Sequence, residues 1–192
     1  MRVLFVTNYD ETQVGGFQAH LIRALKQMNW QYDRINTGQV IKQIIDKNIS
    51  TPDFILMMEG EIGSHNTPSD IGRMKNITKV WWFTDTHVIY QQQVDWAKLT
   101  GAQFLFCAQN RFIPRFKNDN LDVIWLPQAV DAQTFYNKNL EKEYDVAFVG
   151  YVTDIRAKWF NMLADAGLEV HAFSLAPITW PTQNNKFIYH QV

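Results

Sequence analysis

The sequence predicts an α/β protein of the doubly wound, Rossmann-like kind, a parallel sheet with helices on both faces. Three observations predict it. Short apolar runs rich in β-branched and aromatic residues alternate with segments whose apolar residues recur at helical spacing. The runs are apolar at consecutive positions, as strands covered on both faces are. The opening pattern then returns near residue 145, which implies a second Rossmann-like start.

Taken in order, residues 2 to 7 read as a strand, and Phe17, Leu21, Ala24, Leu25 and Met28 place an amphipathic helix over about Gly16 to Asn29. Tyr32 to Ile35 returns as a strand. Val40, Ile41, Ile44, Ile45 and Ile49 give the next helix, and Phe54 to Met58 follows Pro52 as a strand. Lys79 to Phe83 and Gln103 to Cys107 add two more strands, with a weaker helix over Gln91 to Leu99 between them, and Asp122 to Trp125 adds a short last one. Alternation of this kind implies parallel strands, because each crossover must return over the sheet. Residues 136–144 are charged and poor in apolar side chains, as a linker is. Beyond them Asp145 to Val149 reads as a strand, and Ile155, Trp159, Met162, Leu163 and Ala166 form a helix closed by Gly167; Leu168 to Phe173 is a further strand. The expected organisation is therefore one lobe over 1–135, a linker over 136–144, and the incomplete start of a second lobe over 145–192. A full open sheet needs on the order of 100 residues, so the second lobe either is cut short or packs its few elements on the first.

Composition limits the function. Apolar residues make up 46% and charged residues 19%, which is the range of ordered globular proteins. A formal net charge of -1 gives no basic excess for a nucleic-acid partner. The single Cys107 rules out an internal disulfide and fits a reducing compartment. The first ten residues are too short an apolar stretch for a signal or a membrane span, so a cytoplasmic protein is expected. The patterns GxSxG, GxxxxGK[ST], HExxH and CxxC are absent, which removes the sequence grounds for the hydrolase, NTPase, zinc-protease and dithiol chemistries that need them.

Open α/β sheets bind ligands beyond the carboxyl ends of their strands, and four such loops carry polar groups. Asp85 and His87, in Thr84-Asp85-Thr86-His87, place a carboxylate and an imidazole two residues apart at a strand end, where both can orient a hydroxyl or meet a developing charge. The same residues also suit a plain role, Asp85 capping the next helix and His87 packed or exposed. Gly15 and Gly16 can bring backbone N–H groups close to a ligand, or can simply allow a tight turn. Glu59 and His65 can hydrogen-bond sugar hydroxyls, or can belong to a solvated acidic loop. Asn110 can contact a ligand or cap a following helix, beside Arg111 whose stem can snorkel. Cys107 reads as a small core residue. Asp85, His87, His65 and Glu59 show no regular ligand spacing, and no metal site is expected.

Trp125 to Phe135, WLPQAVDAQTF, resembles the stretch that ends the first lobe of retaining GT-B glycosyltransferases, including family-4-like and spore-maturation-like members. YDVAFVG at 144–150 is similar to the strand and glycine opening their donor lobe, and VWWFTDTH at 80–87 to a cleft-facing segment. The resemblance implies transfer of a sugar from a nucleotide-sugar donor to an acceptor hydroxyl, with Asp85 and His87 positioning the acceptor and Gly150 and Arg156 beginning the donor face. It implies no cofactor beyond the donor, and as partners the nucleotide-sugar and the acceptor, beside a second copy of the chain or a C-terminal lobe missing from it. Tyr151 stands where such enzymes often carry an arginine, with Arg156 displaced into the helix. The alternative function is a non-catalytic binding or assembly module, whose open sheet edges and apolar faces dock a partner or a second copy.

Overall fold

The consecutive apolar runs become six parallel strands: β1 (Arg2–Val6), β2 (Gln31–Ile35), β3 (Phe54–Met58), β4 (Thr78–Phe83), β5 (Phe104–Cys107) and β6 (Val123–Trp125). The computed structural model describes residues 1–7, 17–58, 66–174 and 185–191. Its contacts divide the chain into two units, Met1–Thr134 and Phe135–Val192. The architecture is mixed α/β and Rossmann-like.

In the first unit the strand order is β2-β1-β3-β4-β5-β6. Between the strands run α1 (Phe17–Gln27), α2 (Val40–Asp46), α3 (Asn66–Arg73), α4 (Thr86–Thr100), a 3-10 turn (Asn110–Phe112) and α5 (Ile113–Asn118). The order fixes which face each helix covers. The chain moves one way from β1 to β2 and the other way in every later step, so right-handed crossovers put α1 on one face and the remaining helices on the other. The core follows suit. Leu4, Val6, Met57, Trp81, Phe83 and Cys107 pack beneath α2 to α5, whereas Val3, Phe5, Leu56 and Met58 pack under Ile22 and Leu25 of α1. A single helix cannot cover six strands, and on its side Phe104 is 49% and Ile124 is 53% exposed.

The deepest packing surrounds Trp81, fully buried, with ring centroids 5.6 Å from Phe83 and 5.5 Å from Trp96. Its indole N–H donates to Thr100 Oγ1 at 3.0 Å, and that hydroxyl donates on to Trp96 O at 2.8 Å. Burial of this indole is compatible with stability only because its one donor has an acceptor.

The helix starting at Gln91 in the sequence reading begins earlier, at Thr86, with a break at Ile89 (φ -125°). α3 has no counterpart in that reading. Only Ile71 in it is a large apolar residue, so no periodicity announces it, while Pro68 sits in the first turn, where a missing N–H costs nothing. Each α-helix among the described residues stops at a left-handed residue shortly after its end. These are Asn29 (φ 55°), Asn48 (φ 49°), Asn76 (φ 61°), Gly101 (φ 62°), Asn120 (φ 60°) and, after the helix of the second unit, Gly167 (φ 98°).

The second unit holds β7 (Val146–Val149), α6 (Asp154–Asp165), β8 (Val170–Ser174) and β9 (Phe187–Gln191), in a parallel sheet of its own ordered β7-β8-β9. Residues 136–144 carry no helix or strand. Ala157, Phe160 and Ala164 of α6 bury Val170, Ala172 and Phe187 on one face. Thr153 caps α6, its hydroxyl accepting from Arg156 N at 3.4 Å. On the opposite face Tyr144 lies 4.1 Å from the buried His171 ring, and Phe173 stacks on His190 at 4.4 Å. His171 donates from Nε2 to Glu169 Oε1 at 2.7 Å, which leaves Nδ1 for His190 Nε2 at 2.9 Å. β9 is the strand that the sequence reading did not reach.

Candidate functional site

The strand order reverses direction between β1 and β3, the switch point at which open sheets bind ligands beyond their carboxyl ends. The loops that follow those two strands carry Gly15 and Gly16, and Glu59 and His65; all four lie outside the described residues. The adjoining loops, after β4 and β5, are described and hold Asp85, His87 and Asn110.

Asp85 occupies the N-cap position of α4, and its main-chain O accepts from Val88 N at 2.9 Å. Its carboxylate makes no cap bond to α4 and is exposed, so the capping role weighed for it is not the one it plays. His87 is also exposed but is held twice by one side chain. Its backbone N–H donates to Gln109 Oε1 at 3.1 Å, and Gln109 Nε2 lies 3.1 Å from the ring Nδ1. The backbone N–H can only donate, so Oε1 must face it, and the amide NH2 must therefore face the ring. Nδ1 accepts, which puts the proton of the neutral ring on Nε2. Gln109, 22 positions away in sequence, thus fixes both the position and the tautomer of His87.

Sequence reasoning singled out Asn110 in this loop, and the side chain that crosses to the loop after β4 is that of its neighbour Gln109. Asn110 begins the 3-10 turn and its side chain has no hydrogen bond among the described residues; Gln109 is the residue that reaches across to β4's loop. Polar character alone did not distinguish them. Arg111 stacks its guanidinium 5.0 Å from the Phe112 ring centroid. Cys107 is buried, with Thr86 Oγ1 3.3 Å from its sulfur, a core residue at a strand end.

Gly150 and Arg156 belong to the second unit. Gly150 ends β7 at φ 145°, its N–H donates to Phe173 O at 2.9 Å, and a Cβ would sit 3.1 Å from the Phe148 ring. The backbone there needs glycine for its own geometry. Arg156 Nη1 donates to Tyr151 O at 2.6 Å while the guanidinium lies 5.2 Å from the Phe148 ring centroid. Its cation is engaged at the start of its own helix.

One further polar cluster escaped the sequence because it joins positions more than a hundred residues apart. Asp131 Oδ2 lies 2.8 Å from His20 Nδ1, a nitrogen that also stands 2.5 Å from Arg23 Nη2, and the carboxylate accepts from Arg23 Nε at 3.4 Å, from Thr134 Oγ1 at 3.0 Å and from Gln133 N at 3.0 Å. Chiefly the His20 bond, then the Gln133, Thr134 and Arg23 bonds, hold its carboxyl well below the usual carboxylate range against the opposing effect of burial. These contacts tie the segment after β6 to α1 and border a cleft of about 250 Å³ floored by Phe17, Leu21 and Trp82. Asp85 and His87 do not line it. Among the described residues no group of three or more His, Cys, Asp or Glu is placed to hold a metal ion, and no helix is long and apolar enough to cross a membrane.

No protein-family model matches the sequence, and no curated protein matches it. Among solved structures the chain is similar to a D-isomer specific 2-hydroxyacid dehydrogenase from Lactobacillus delbrueckii ssp. bulgaricus, in its NAD-complexed form, at 10% identity and a TM-score of 0.34. The match covers 99% of this chain, which spans 58% of the length of that one. A likeness so distant carries no argument about activity. No family model and no curated protein supports the GT-B glycosyltransferase reading, and that resemblance is withdrawn. The residues that suggested it have local tasks instead. Asp131 of WLPQAVDAQTF is the hub that fastens α1, and Gly150 of YDVAFVG meets the geometry of its strand end.

Proposed function

We propose that the chain is a small-molecule-binding α/β protein whose six-stranded unit takes a hydroxyl-bearing ligand at the carboxyl edge of β4 and β5, without chemistry on it. The observation that carries this reading is the double hold of Gln109 on His87, next to the exposed carboxylate of Asp85. An exposed histidine fixed in orientation and tautomer is an ordered donor, its Nε2–H, and Asp85 two residues away is an acceptor. A hydroxyl needs one of each, and preorganised partners lose little entropy on binding. A second reading, transfer of a sugar from a nucleotide-sugar to that hydroxyl, is favoured by the same pair. A carboxylate beside an imidazole is also a general acid–base arrangement.

The 192-residue chain is titrated calorimetrically with free monosaccharides, nucleotides and nucleotide-sugars, and the mixtures are assayed for released nucleotide. Binding that falls at least tenfold in both Asp85→Asn and His87→Ala, at unchanged melting temperature and with no turnover, supports the binding module. Nucleotide release that the same variants abolish supports transfer. Absence of any saturable ligand, or binding indifferent to both substitutions, removes the carboxyl-edge site.

A further inference from the structure

At the opposite edge of the same sheet, the carboxyl ends of α3 and α4 and the start of β4 enclose an open groove of about 600 Å³. Gly72 makes it possible, since a Cβ there would lie 2.4 Å from Leu99 O, and only glycine allows the helices so near. The approach brings Lys75, just past α3, and Lys98, in the last turn of α4, to one groove with Lys79 of β4. No Asp or Glu lines it.

Two of these cations have an ordinary explanation. Lys75 Nζ donates to Gly72 O at 3.1 Å, and Lys98 complements the carbonyl end of its helix. Lys79 does not. It shares the face of Trp81 and Phe83, is 5% exposed, and its ammonium makes no hydrogen bond or ion pair among the described residues. Its backbone is secured independently, Lys79 N donating to Gln103 Oε1 at 2.8 Å and Lys79 O accepting from Gln103 N at 3.1 Å. Burial first, and then the neighbouring Lys75, lower its pKa from the ordinary lysine value. The stem of Lys79 is buried while its ammonium reaches the groove, and three lysines lining one groove with no carboxylate among them are a like-charge arrangement that an anion relieves. The helix ends oppose this with roughly half a negative charge each, which the lysines outweigh.

We propose that this groove binds a phosphorylated small molecule carrying at least two negative charges, with the Lys79 ammonium on a phosphate oxygen and Lys75 and Lys98 flanking it. Ammonium groups suit phosphate as mobile point charges, and the groove's size suits a diphosphate. The inference is independent of the carboxyl edge.

The probe is inorganic pyrophosphate, titrated into the full chain by calorimetry at low and at 0.5 M salt, a concentration on the order of that which screens exposed charges. We expect one saturable site, weakened at least tenfold by Lys79→Met, which keeps the buried stem, and several-fold by Lys75→Ala or Lys98→Ala. Carbon-13 lysine NMR of the unsubstituted protein provides a readout that needs no variant: the Lys79 resonance should titrate at higher pH when pyrophosphate is present. No saturable binding, binding indifferent to Lys79→Met in a folded variant, or a Lys79 resonance unmoved by pyrophosphate would overturn the proposal, leaving Lys79 as a stem that merely delivers its charge to water. Binding of a single-stranded oligonucleotide more tightly than pyrophosphate would overturn it as well.

Discussion

Replacing Gly72 by alanine should loosen the first unit, by an amount that follows from one distance. The added Cβ would stand 2.4 Å from Leu99 O and 3.5 Å from its carbonyl carbon, where ordinary contact begins at 3.4 Å. The atom in the way is backbone and cannot swing aside, so α3 and α4 must part by about 1 Å at that point. Ile71, fully buried beside Gly72, moves with them. Overpacking of this kind costs about 1–3 kcal/mol, offset by up to about 1 kcal/mol from the better helix propensity of alanine. The net loss is about 1–2 kcal/mol, which for a chain of this size lowers the melting temperature by about 2–8 °C. The assay is thermal and urea unfolding followed in the near ultraviolet, where the stacked Trp81–Trp96 pair of the first unit contributes, in a chain whose Trp159 and Trp180 are replaced by Phe so that the second unit adds no tryptophan signal. A melting temperature unchanged or raised would mean that propensity alone was felt, and the close approach of α3 and α4 would be refuted.

Two further outcomes follow from the polar contacts. Asp131 has a folded-state pKa below its unfolded value of about 3.9, so its contribution to stability is complete above about pH 4 and drains as pH falls toward the folded value. Asp131→Asn should therefore lower the urea midpoint at pH 7 and flatten its decline between about pH 4 and pH 2; a parallel shift at every pH would contradict the assignment. Thr100→Val removes the acceptor of the Trp81 indole while keeping the volume, and should cost about 1–3 kcal/mol by denaturant unfolding, a loss that Trp81→Phe in the same chain partly restores.

The strands that the sequence showed most clearly are those buried on both sides. Phe54 to Met58 is located to the residue, because five apolar side chains in succession suit nothing but a covered parallel strand of that length. Helices were legible where several large apolar residues shared a stripe, as in α1 and α6, and illegible where one sufficed, as with Ile71 in α3. The candidate site was half legible. Asp85 and His87 were found from their place after a strand, a local property, whereas Gln109, which orders His87, is recognisable only once β4 and β5 are seen side by side. The pairing of His20 with Asp131 left no local trace, and Lys79 looked like any other lysine beside a strand until its surroundings were known. The resemblance drawn from three short segments failed for a related reason: a glycine at a strand end and an aspartate in a turn recur wherever the backbone needs them.

The left-handed residues that close the six described α-helices have a meaning for how this molecule can change. Each helix ends on an instruction carried by a single position, so the connection beyond it says nothing about where the helix stops. Extra residues spliced in after Asn48 or Asn120 would enlarge a surface turn at an entropic cost of only about 0.6 kcal/mol per doubling of its length, with every helical side chain kept in place. That edge of the sheet is where the chain can grow.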